Sequence, residues 1–354
     1  MTTRTDILKL SYPELEEALL SLGEKKFRAK QVWQWLWAKN ARSFEAMTNL
    51  SKALRAKLET NFDLHKIAID TALESKDGSV KYTFRLHDGH LVEGVLIPTA
   101  ERATACVSSQ VGCSLNCKFC ATGYLDLKRN LTHYEIYDQV YTITQESERR
   151  LGRPLSNVVY MGMGEPLLNY RNVLGSIERV NAEDGLHMSP RRITVSTVGI
   201  AKLIKRLGDD AVKFELALSL HAANDEKRST IMPINDTNSL EALGEALRYF
   251  YDKTGTRITL EYIVFDHIND NLSDAQELSD FARRVPTKIN IIEYNPIAEA
   301  EFRMTSEARL NTFIAYLEDR GHIVNVRRSR GKDVDGGCGQ LALKQLDNAA
   351  KAIP

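Results

Sequence analysis

The sequence predicts an α/β protein in which a helical N-terminal region and a small β-sheet precede a parallel sheet flanked by helices. Three patterns carry this prediction. They are helical periodicity over roughly the first seventy residues, period-two alternation between Ser79 and Leu96, and strand-like runs that alternate with helical stretches after that. With 354 residues, 43% of them hydrophobic, the chain is long enough for one large domain and a smaller one.

Three helices are predicted in the N-terminal region. The first begins at Tyr12-Pro13-Glu14, where proline suits the first helical turn, and Gly23 ends it. The second runs from about Phe27 to Ala38, and the third from about Ser43 to Lys57.

All three tryptophans of the chain lie in the second helix, at Trp33, Trp35 and Trp37. Residues two apart on a helix are separated by about 200°, so these rings cannot all face one core. Two interpretations stay open: packing on two helix faces, or an exposed ring that a partner contacts.

A small linking sheet is predicted next. Lys81 to Leu86 alternates polar and apolar residues, and Asp88-Gly89 is a typical hairpin turn. The following alternation of strands and helices predicts a parallel sheet, because parallel neighbours need a helical crossover. Its predicted strands are Ala103–Ser108, Asn157–Met161, Ile193–Ser196, Lys213–Leu220, Ile258–Phe265 and Ile289–Tyr294, with a possible seventh at Ile323–Arg328.

Between the first two of these strands, Thr132 and Glu135 form a capping box at the start of a helix. Residues at the carboxyl ends of the parallel strands, such as Ser219 and His221, should converge on one rim. The polar stretch 344–354 is expected to be a tail.

Composition excludes several classes of protein. No apolar run approaches about 18 residues, so we expect no membrane span. The N-terminus lacks the apolar core of a signal peptide, so we expect a cytoplasmic protein. The 47 basic and 47 acidic residues give zero net charge, which is a weak argument against a polyanionic partner. Five cysteines, an odd number with four of them clustered, favour metal binding or catalysis over static disulfides.

The cysteine spacing is the strongest chemical signal. Cys113, Cys117 and Cys120 form a C-x₃-C-x₂-C run directly after the first parallel strand. Three thiolates can hold three corners of a 4Fe-4S cubane and leave one iron open. A structural zinc site with Cys338 as fourth ligand is the alternative, since closed zinc sites take four protein ligands.

This run resembles the signature of the radical S-adenosylmethionine superfamily, which implies a partial (βα)₆ barrel. In that superfamily, S-adenosylmethionine chelates the open iron, and one-electron reduction yields a 5′-deoxyadenosyl radical. Over nearly the whole chain, and most strongly from Val92 to Leu341, the sequence also resembles the RlmN/Cfr family of RNA adenine methyltransferases. The resemblance implies domains at 1–70 (helical, RNA-binding), 71–98 (linking sheet) and 99–343 (radical core with catalytic loop), followed by the tail.

The cofactor residues follow from the same resemblance. Met161 to Pro166 is similar to the family motif that holds the cofactor's amine, and a carboxylate such as Glu165 suits an ammonium group. The resemblance implies that the following residues bind S-adenosylmethionine: Gly164, Glu165, Ser196, Ser219, Leu220, His221 and Asn295.

The two remaining cysteines match the catalytic pair of the family. The resemblance implies that Cys338 accepts a methyl group from one S-adenosylmethionine, and that a second generates the radical, so two are used per turnover. Cys338 is then joined covalently to the adenine. Glu93 matches the proton acceptor, and Cys106 attacks Cys338 to release the product through a transient disulfide. Either cysteine taken alone would ordinarily be inert.

Basic residues are concentrated in two places. Between Ser21 and Lys57, nine basic and two acidic residues give a local charge of +7, and Arg327 to Lys332 leads into the Cys338 segment. The resemblance implies 23S rRNA and tRNA as partners. It also implies an external electron donor, and we expect a monomer.

The reaction position is the least determined feature. Met-Gly-Glu-Pro matches the RlmN type, which methylates carbon 2 of adenine, whereas Cys120-Ala-Thr-Gly-Tyr124 resembles the Cfr type, which acts at carbon 8. Carbon 2 is favoured. The alternative from a different class of function is a non-catalytic RNA-binding module whose fold is held together by a metal ion.

Overall fold

An open ten-stranded sheet is the centre of the computed structural model, which describes residues 4–343. Its strands are β1 (Ala68–Glu74), β2 (Val80–Arg85), β3 (Leu91–Pro98), β4 (Ala103–Cys106), β5 (Asn157–Tyr160), β6 (Ile193–Thr197), β7 (Glu215–Ser219), β8 (Ile258–Ile263), β9 (Thr287–Ile292) and β10 (Val324–Arg327). Their order across the sheet is β10-β9-β8-β7-β6-β5-β4-β3-β2-β1, so every strand lies beside its neighbour in the chain.

The described residues contain ten α-helices. They are α1 (Tyr12–Ser21), α2 (Phe27–Trp37), α3 (Lys52–Asn61), α4 (His133–Leu151), α5 (Tyr170–Asn181), α6 (Ala201–Asp209), α7 (Asp225–Ile231), α8 (Leu240–Thr254), α9 (Leu272–Ala282) and α10 (Glu307–Glu318). Short 3₁₀ helices lie at Ile7–Lys9, Ala121–Tyr124, Pro166–Asn169, Pro190–Arg192, Pro233–Thr237 and Lys332–Val334. Two-residue strand pairs join Thr5–Asp6 to Phe62–Asp63 and Gln110–Val111 to Arg129–Asn130.

Strands β4 to β10 are parallel, and at least one α-helix connects each to the next. The six strands predicted from the sequence and the possible seventh are all present. The capping box of Thr132 and Glu135 also begins α4 as predicted. Because the strands are parallel, their carboxyl ends share one edge, and the functional residues lie there.

The predicted linking sheet is a continuation of the main sheet. Strands β1, β2 and β3 are antiparallel to one another. Strand β3 also pairs antiparallel with β4, with Val95 opposite Cys106 at one end and Pro98 opposite Ala103 at the other. Two Asp-Gly turns join them: the first Asp-Gly turn (residues 75–79) and the second Asp-Gly turn (residues 86–90). Gly78 and Gly89 adopt φ of 82° and 84°, the left-handed region that favours glycine.

The N-terminal helices follow the prediction except for the third. Helix α1 begins with a capping box between Ser11 and Glu14. Helix α3 begins at Lys52, and the prediction that it starts near Ser43 is wrong. Ser51 caps α3 by accepting a hydrogen bond from the N–H of Leu54, whereas Ser43 accepts one from Ala46 and closes a separate turn.

The tryptophans of α2 pack on two faces, so the packing interpretation is confirmed and none of the rings is exposed. Trp37 is buried, and Tyr137 of α4 donates a hydrogen bond to its carbonyl at 2.8 Å. Trp33 donates to the Asp184 carboxylate at 2.7 Å, beyond the end of α5. These contacts attach the N-terminal helices to the sheet domain.

Two further predictions concern the chain ends and membranes. The predicted tail at 344–354 lies outside the described residues, as do residues 1–3. Among the residues that are described, none of the helices has both the length and the apolar character needed to cross a bilayer.

Candidate active site

The carboxyl ends of the parallel strands surround a cavity of about 440 Å³. The fold brings ten of the thirteen predicted site residues to its wall: Cys106, Cys113, Cys117, Cys120, Gly164, Glu165, Ser196, Ser219, His221 and Cys338. Glu93, Leu220 and Asn295 lie behind this wall.

The segment that carries Cys113, Cys117 and Cys120, here called the three-cysteine loop (residues 113–124), is fixed against the rim by apolar packing and backbone contacts. The Phe119 ring lies edge-on to His221, with 4.7 Å between ring centroids, and the N–H of Lys118 donates to the Ile231 carbonyl at 3.0 Å. At Gly123 a Cβ atom would lie 2.7 Å from the Cys117 carbonyl oxygen, so only glycine allows the loop to close this tightly.

The three loop thiols form a donor set suited to a cluster. Burial raises the pKa of Cys113 to about 11 and also raises the pKa of Cys120. At Cys117, burial and the charges of the other two thiols raise the pKa. A bound iron would supply the positive charge that keeps such buried thiols ionised. In a cubane each thiolate binds a different iron, so the thiols need not converge on one point.

The zinc alternative has no counterpart in this geometry. Within residues 4–343 no group of three or more His, Cys, Asp and Glu side chains is placed to hold a single metal ion.

The segment after β5 combines close backbone contacts with a buried carboxylate. A Cβ at Gly162 would lie 2.7 Å from the Ser108 hydroxyl oxygen, and Gly164 has φ of 93°. Glu165 accepts hydrogen bonds from the N–H of Leu167 at 3.0 Å and of Val198 at 2.9 Å. Burial nevertheless raises the pKa of Glu165 to about 7. A cationic amine in the cavity would favour its ionised form, so the site fits S-adenosylmethionine.

Three polar side chains at the ends of β6 and β7 face the same cavity. The hydroxyls of Ser196 and Ser219 lie 3.2 Å apart. His221 Nδ1 accepts a hydrogen bond from the N–H of Ile263 at 3.1 Å. Burial lowers the pKa of His221 to about 3, so the ring is neutral and its Nε2 carries the proton as a donor.

Leu220 and Asn295 act behind the cavity wall. Leu220 is fully buried, and its N–H donates to the Glu261 carbonyl at 3.0 Å. Asn295 Nδ2 donates to the carbonyl of Cys338 at 3.1 Å, and a Cβ at Gly337 would lie 2.8 Å from the Asn295 side chain. Asn295 therefore holds the backbone of Cys338 in this structure.

Arg228 supports the cavity wall and was not predicted from the sequence. It is fully buried in α7 and has no carboxylate within ion-pair distance among the described residues. Its guanidinium donates to the carbonyls of Leu220 (3.1 Å), Ser219 (3.3 Å) and Val198, and so ties together the ends of β6 and β7. Nothing in the Asp225–Ile231 sequence separates it from a solvated helix face.

Cys106 and Cys338 come from distant segments and meet in the cavity as free thiols. Cys106 ends β4, and burial together with the charge of Cys338 raises its pKa to about 12. Cys338 is accessible through the cavity. Loss of hydration within the cavity raises the pKa of Cys338 to about 11, although the positive charge of Arg327 acts to lower it.

Arg327 lies in the cavity wall, and the RNA contact expected of the basic run that it begins stays a prediction. Its Nη1 lies 3.2 Å from Glu261 Oε1, and Asn290 also donates to that carboxylate at 2.9 Å. A glutamate inside the apolar strand Ile258–Ile263 was the sequence signal for this pair. The pair places a guanidinium close to the two free thiols, Cys106 and Cys338.

The segment that carries Cys338, here called the Cys338 loop (residues 331–341), contacts the three-cysteine loop directly. The N–H of Ala121 donates to the Gly339 carbonyl at 2.7 Å, and the Thr122 hydroxyl donates to the Leu341 carbonyl at 2.6 Å. The thiol predicted to accept the methyl group is therefore held against the segment predicted to bind the cluster.

Glu93 is buried in β3 and has three hydrogen-bonding partners. Its Oε1 lies 3.3 Å from the ammonium nitrogen of Lys81, which is also buried. Its Oε2 accepts from the N–H of Ala342 at 2.9 Å and of Leu343 at 3.3 Å. Both carboxylate oxygens are thus occupied in this conformation.

The basic N-terminal region is partly used for internal contacts. Lys26, Arg42 and Lys57 form ion pairs with Glu16, Asp138 and Glu24. Lys25, Lys30 and Lys52 are exposed. The local charge of +7 therefore overstates the number of cations free to contact phosphate.

Comparisons with known proteins agree with this geometry. Residues 5–64 match the ribosomal RNA large subunit methyltransferase N-terminal domain, and residues 107–282 match the radical SAM superfamily. A "Probable dual-specificity RNA methyltransferase RlmN" from Cytophaga hutchinsonii is 59% identical over 98% of this chain and 96% of the relative. The "Dual-specificity RNA methyltransferase RlmN" of Nitratidesulfovibrio vulgaris is 45% identical over 98% and 96%.

A solved structure has the same fold. It is a radical SAM methyltransferase from Sphaerobacter thermophilus, which superposes with a TM-score of 0.90 at 40% identity and covers 95% of this chain and 99% of its own.

Proposed function

Because the chain belongs to the RlmN family of dual-specificity radical S-adenosylmethionine RNA methyltransferases, we propose that it methylates carbon 2 of adenine in RNA. The proposed substrates are one adenine in the peptidyl-transferase region of 23S rRNA and the adenine 3′ of the anticodon in tRNAs. The observation that carries the proposal is the meeting of two free thiols, Cys106 and Cys338, in a cavity that also holds the three-cysteine loop.

The family brings a 4Fe-4S cluster and S-adenosylmethionine, and we propose which residues hold them. Cys113, Cys117 and Cys120 would bind the cluster. The cavity wall at Gly164, Glu165, Ser196, Ser219 and His221 would bind S-adenosylmethionine, with Leu220 and Asn295 supporting it. When bound, the cluster and S-adenosylmethionine supply a transferable methyl group and the one-electron chemistry that removes a hydrogen atom.

Cys338 is the proposed methyl acceptor. Carbon 2 of adenine is electron-poor and cannot attack the methyl carbon of a sulfonium, whereas a thiolate can. The bond that forms joins Cys338 Sγ to the methyl carbon, and the bond that breaks is the carbon–sulfonium bond. After loss of a hydrogen atom, the same carbon bonds to adenine carbon 2, so Cys338 carries the RNA. Arg327 favours the thiolate, because its charge opposes the rise in the pKa of Cys338.

Glu93 and Cys106 complete the proposed reaction. Glu93 accepts the proton from carbon 2, which requires one carboxylate oxygen to be released from Ala342 and Leu343. Cys106 attacks Cys338 Sγ, the carbon–sulfur bond breaks, and the departing carbon takes up a proton to become the methyl group. The electron released when carbon 2 loses its proton to Glu93, before Cys106 attacks, would be taken up by the bound cluster. The resulting disulfide needs two electrons from an external donor before the next turnover.

Two other functions from the sequence analysis receive less support. A non-catalytic RNA-binding module is disfavoured because the chain belongs to a family of enzymes. Methylation at carbon 8 rests on the Cys120-Ala-Thr-Gly-Tyr124 resemblance alone, whereas the relatives named above are of the RlmN type.

Mass spectrometry of RNA tests the function. A strain lacking its own enzyme of this type should regain 2-methyladenosine in 23S rRNA and tRNA when it carries this gene. The Cys338→Ala variant should not restore it. Appearance of 8-methyladenosine alone would overturn the proposed position, and restoration by Cys338→Ala would overturn the role of the thiol. One chain supplies the whole cavity, so we also propose a monomer, which analytical ultracentrifugation tests.

A further inference from the structure

We propose that the first Asp-Gly turn positions the Cys338 loop, with Asp77 and Asp333 as positioning residues for the methylation reaction. This inference rests on the proposed function for its consequence in catalysis, whereas the contacts themselves do not depend on it. Both carboxylates join the turn between β1 and β2 to the base of the loop.

The Cys338 loop needs fixing from outside because of its composition. It contains Gly331, Gly336, Gly337 and Gly339, and glycine loses more conformational entropy on ordering than any other residue. Most of its internal backbone hydrogen bonds lie within one short turn, residues 331–336, and they do not fix that turn relative to the rest of the protein. The N–H of Gly336 donates to the Gly331 carbonyl at 2.8 Å, and the N–H of Gln340 donates to the Gly337 carbonyl at 3.1 Å.

Two carboxylates join the turn and the loop reciprocally. Asp333 of the loop accepts hydrogen bonds from the Ser75 hydroxyl and from the N–H of Lys76 at 3.1 Å. Asp77 of the turn accepts from the N–H of Gly331 and from the N–H of Ser79, both at 2.9 Å. Gly331 adopts φ of 68°, the left-handed conformation at the start of the loop.

Both carboxylates are ionised at neutral pH. The Ser75 hydroxyl and the Lys76 N–H hold the pKa of Asp333 below its usual range. Partial burial acts to raise the pKa of Asp77, but the N–H groups of Gly331 and Ser79 lower it further than burial raises it. The contacts are therefore charge-assisted, the stronger class of hydrogen bond.

The opposite side of the loop base is held by the end of β9. Lys332 Nζ lies 2.6 Å from Glu293 Oε1, and the N–H of Ser329 donates to Glu293 Oε2 at 3.2 Å. The loop base is thus fixed between the first Asp-Gly turn and β9, and Asn295 holds the backbone at Cys338 itself. Releasing the turn would leave one side of this support.

The second Asp-Gly turn provides a matched control within the same three strands. Asp88 lies 2.6 Å from Arg129 Nε and accepts from the N–H of His90 at 3.2 Å. These contacts lead to the start of α4 and not to the Cys338 loop. Asp88→Ala therefore removes an equivalent carboxylate from an equivalent turn.

The test compares three forms of the cluster-loaded full chain: wild type, the double variant Asp77→Ala/Asp333→Ala, and Asp88→Ala. Two measurements follow the loop, namely amide hydrogen exchange over residues 331–341 and alkylation of Cys338 by iodoacetamide. We expect both to rise at least about tenfold in the double variant, because it loses the three charge-assisted hydrogen bonds that join the turn to the loop. The kcat for RNA methylation should fall while KM changes less than about twofold.

Unchanged exchange and alkylation in the double variant, relative to Asp88→Ala, would overturn the proposal. If the double variant does not fold, the single variants Asp77→Asn and Asp333→Asn keep the side-chain shape and one acceptor oxygen. These single variants should show smaller rises in amide exchange and in Cys338 alkylation. If neither rate rises, the proposal is overturned equally. If the wild-type chain fails to methylate RNA but the double variant still exchanges its loop amides faster than the wild type, the proposed function is refuted and the positioning role stands.

Discussion

The cavity contains two sets of cysteine thiols that are assembled in different ways. Cys113, Cys117 and Cys120 come from one short loop, and backbone contacts within and beside that loop place them. Cys106 comes from the end of β4, and Cys338 comes from a loop late in the chain. That loop contacts the three-cysteine loop through Thr122 and Leu341, which are 219 positions apart. The proposed cluster site is thus local in the sequence, whereas the proposed S-adenosylmethionine site and the proposed chemistry depend on the complete fold.

The largest expected effect comes from the local set. Replacing Cys117 with Ala should abolish both cluster binding and methylation, because two thiolates leave the cubane without a third protein ligand. Iron and sulfide analysis after anaerobic reconstitution measures the first, and RNA mass spectrometry the second. Cys338→Ala is the control, since it should lose methylation and keep iron. Full iron content in Cys117→Ala would contradict the assignment.

The next effect separates the two members of the distant set. Cys106→Ala should stop the reaction after the adenine is bound to Cys338, because no thiol remains to attack the sulfur. RNA should then remain covalently attached to the protein on a denaturing gel, at up to about one RNA per chain. The double variant Cys106→Ala/Cys338→Ala should carry none. RNA-free Cys106→Ala protein from cells that express the substrate would refute this role.

A smaller effect is expected at Glu93, where stability and catalysis can be separated. Glu93→Gln should slow methylation by about 10²- to 10⁴-fold, the usual contribution of a general base. It should also destabilise the fold by about 3 kcal/mol, because Lys81 is left buried without its counter-charge. Thermal and denaturant unfolding measure this loss.

The double variant Lys81→Met/Glu93→Gln distinguishes the two roles of Glu93. Removing both charges should restore most of the stability, since no uncompensated ion remains. Activity should stay low. Recovery of activity together with stability would show that Glu93 is structural and accepts no proton.

The smallest effect concerns the pH dependence of Cys338. With a pKa of about 11, its thiolate fraction should rise about tenfold per pH unit between pH 7 and pH 9, and alkylation by iodoacetamide should follow. Arg327→Met removes a charge that lowers this pKa, so alkylation should slow at every pH in the range. Mass spectrometry of the Cys338 peptide provides the rates. A plateau below pH 9 would contradict the raised pKa.

The same contrast explains how far the sequence could predict the structure. The spacing of the three cysteines and the alternation of strands with helices predicted the loop and the parallel sheet, because these depend on local patterns. Most residues of the cavity wall were predicted from the family resemblance. Arg228, the Arg327–Glu261 pair and Asp77 were missed. Each acts through partners far away in the chain, and its own neighbours in sequence resemble an ordinary helix, strand or turn. The start of α3 was misplaced because two serines offered competing caps.

The long reach of the Cys338 loop also bears on when the protein becomes competent during its synthesis. Its aspartate at 333 contacts a turn 258 residues earlier, and Ala342 contacts Glu93 across 249. Domains begin to fold from the N-terminus while translation continues, so the three-cysteine loop and most strands of the sheet are made before the Cys338 loop. The thiol proposed to accept the methyl group can dock only when nearly the whole chain has been translated. A nascent or prematurely terminated chain would therefore already carry its three cluster cysteines but have no methyl acceptor in place.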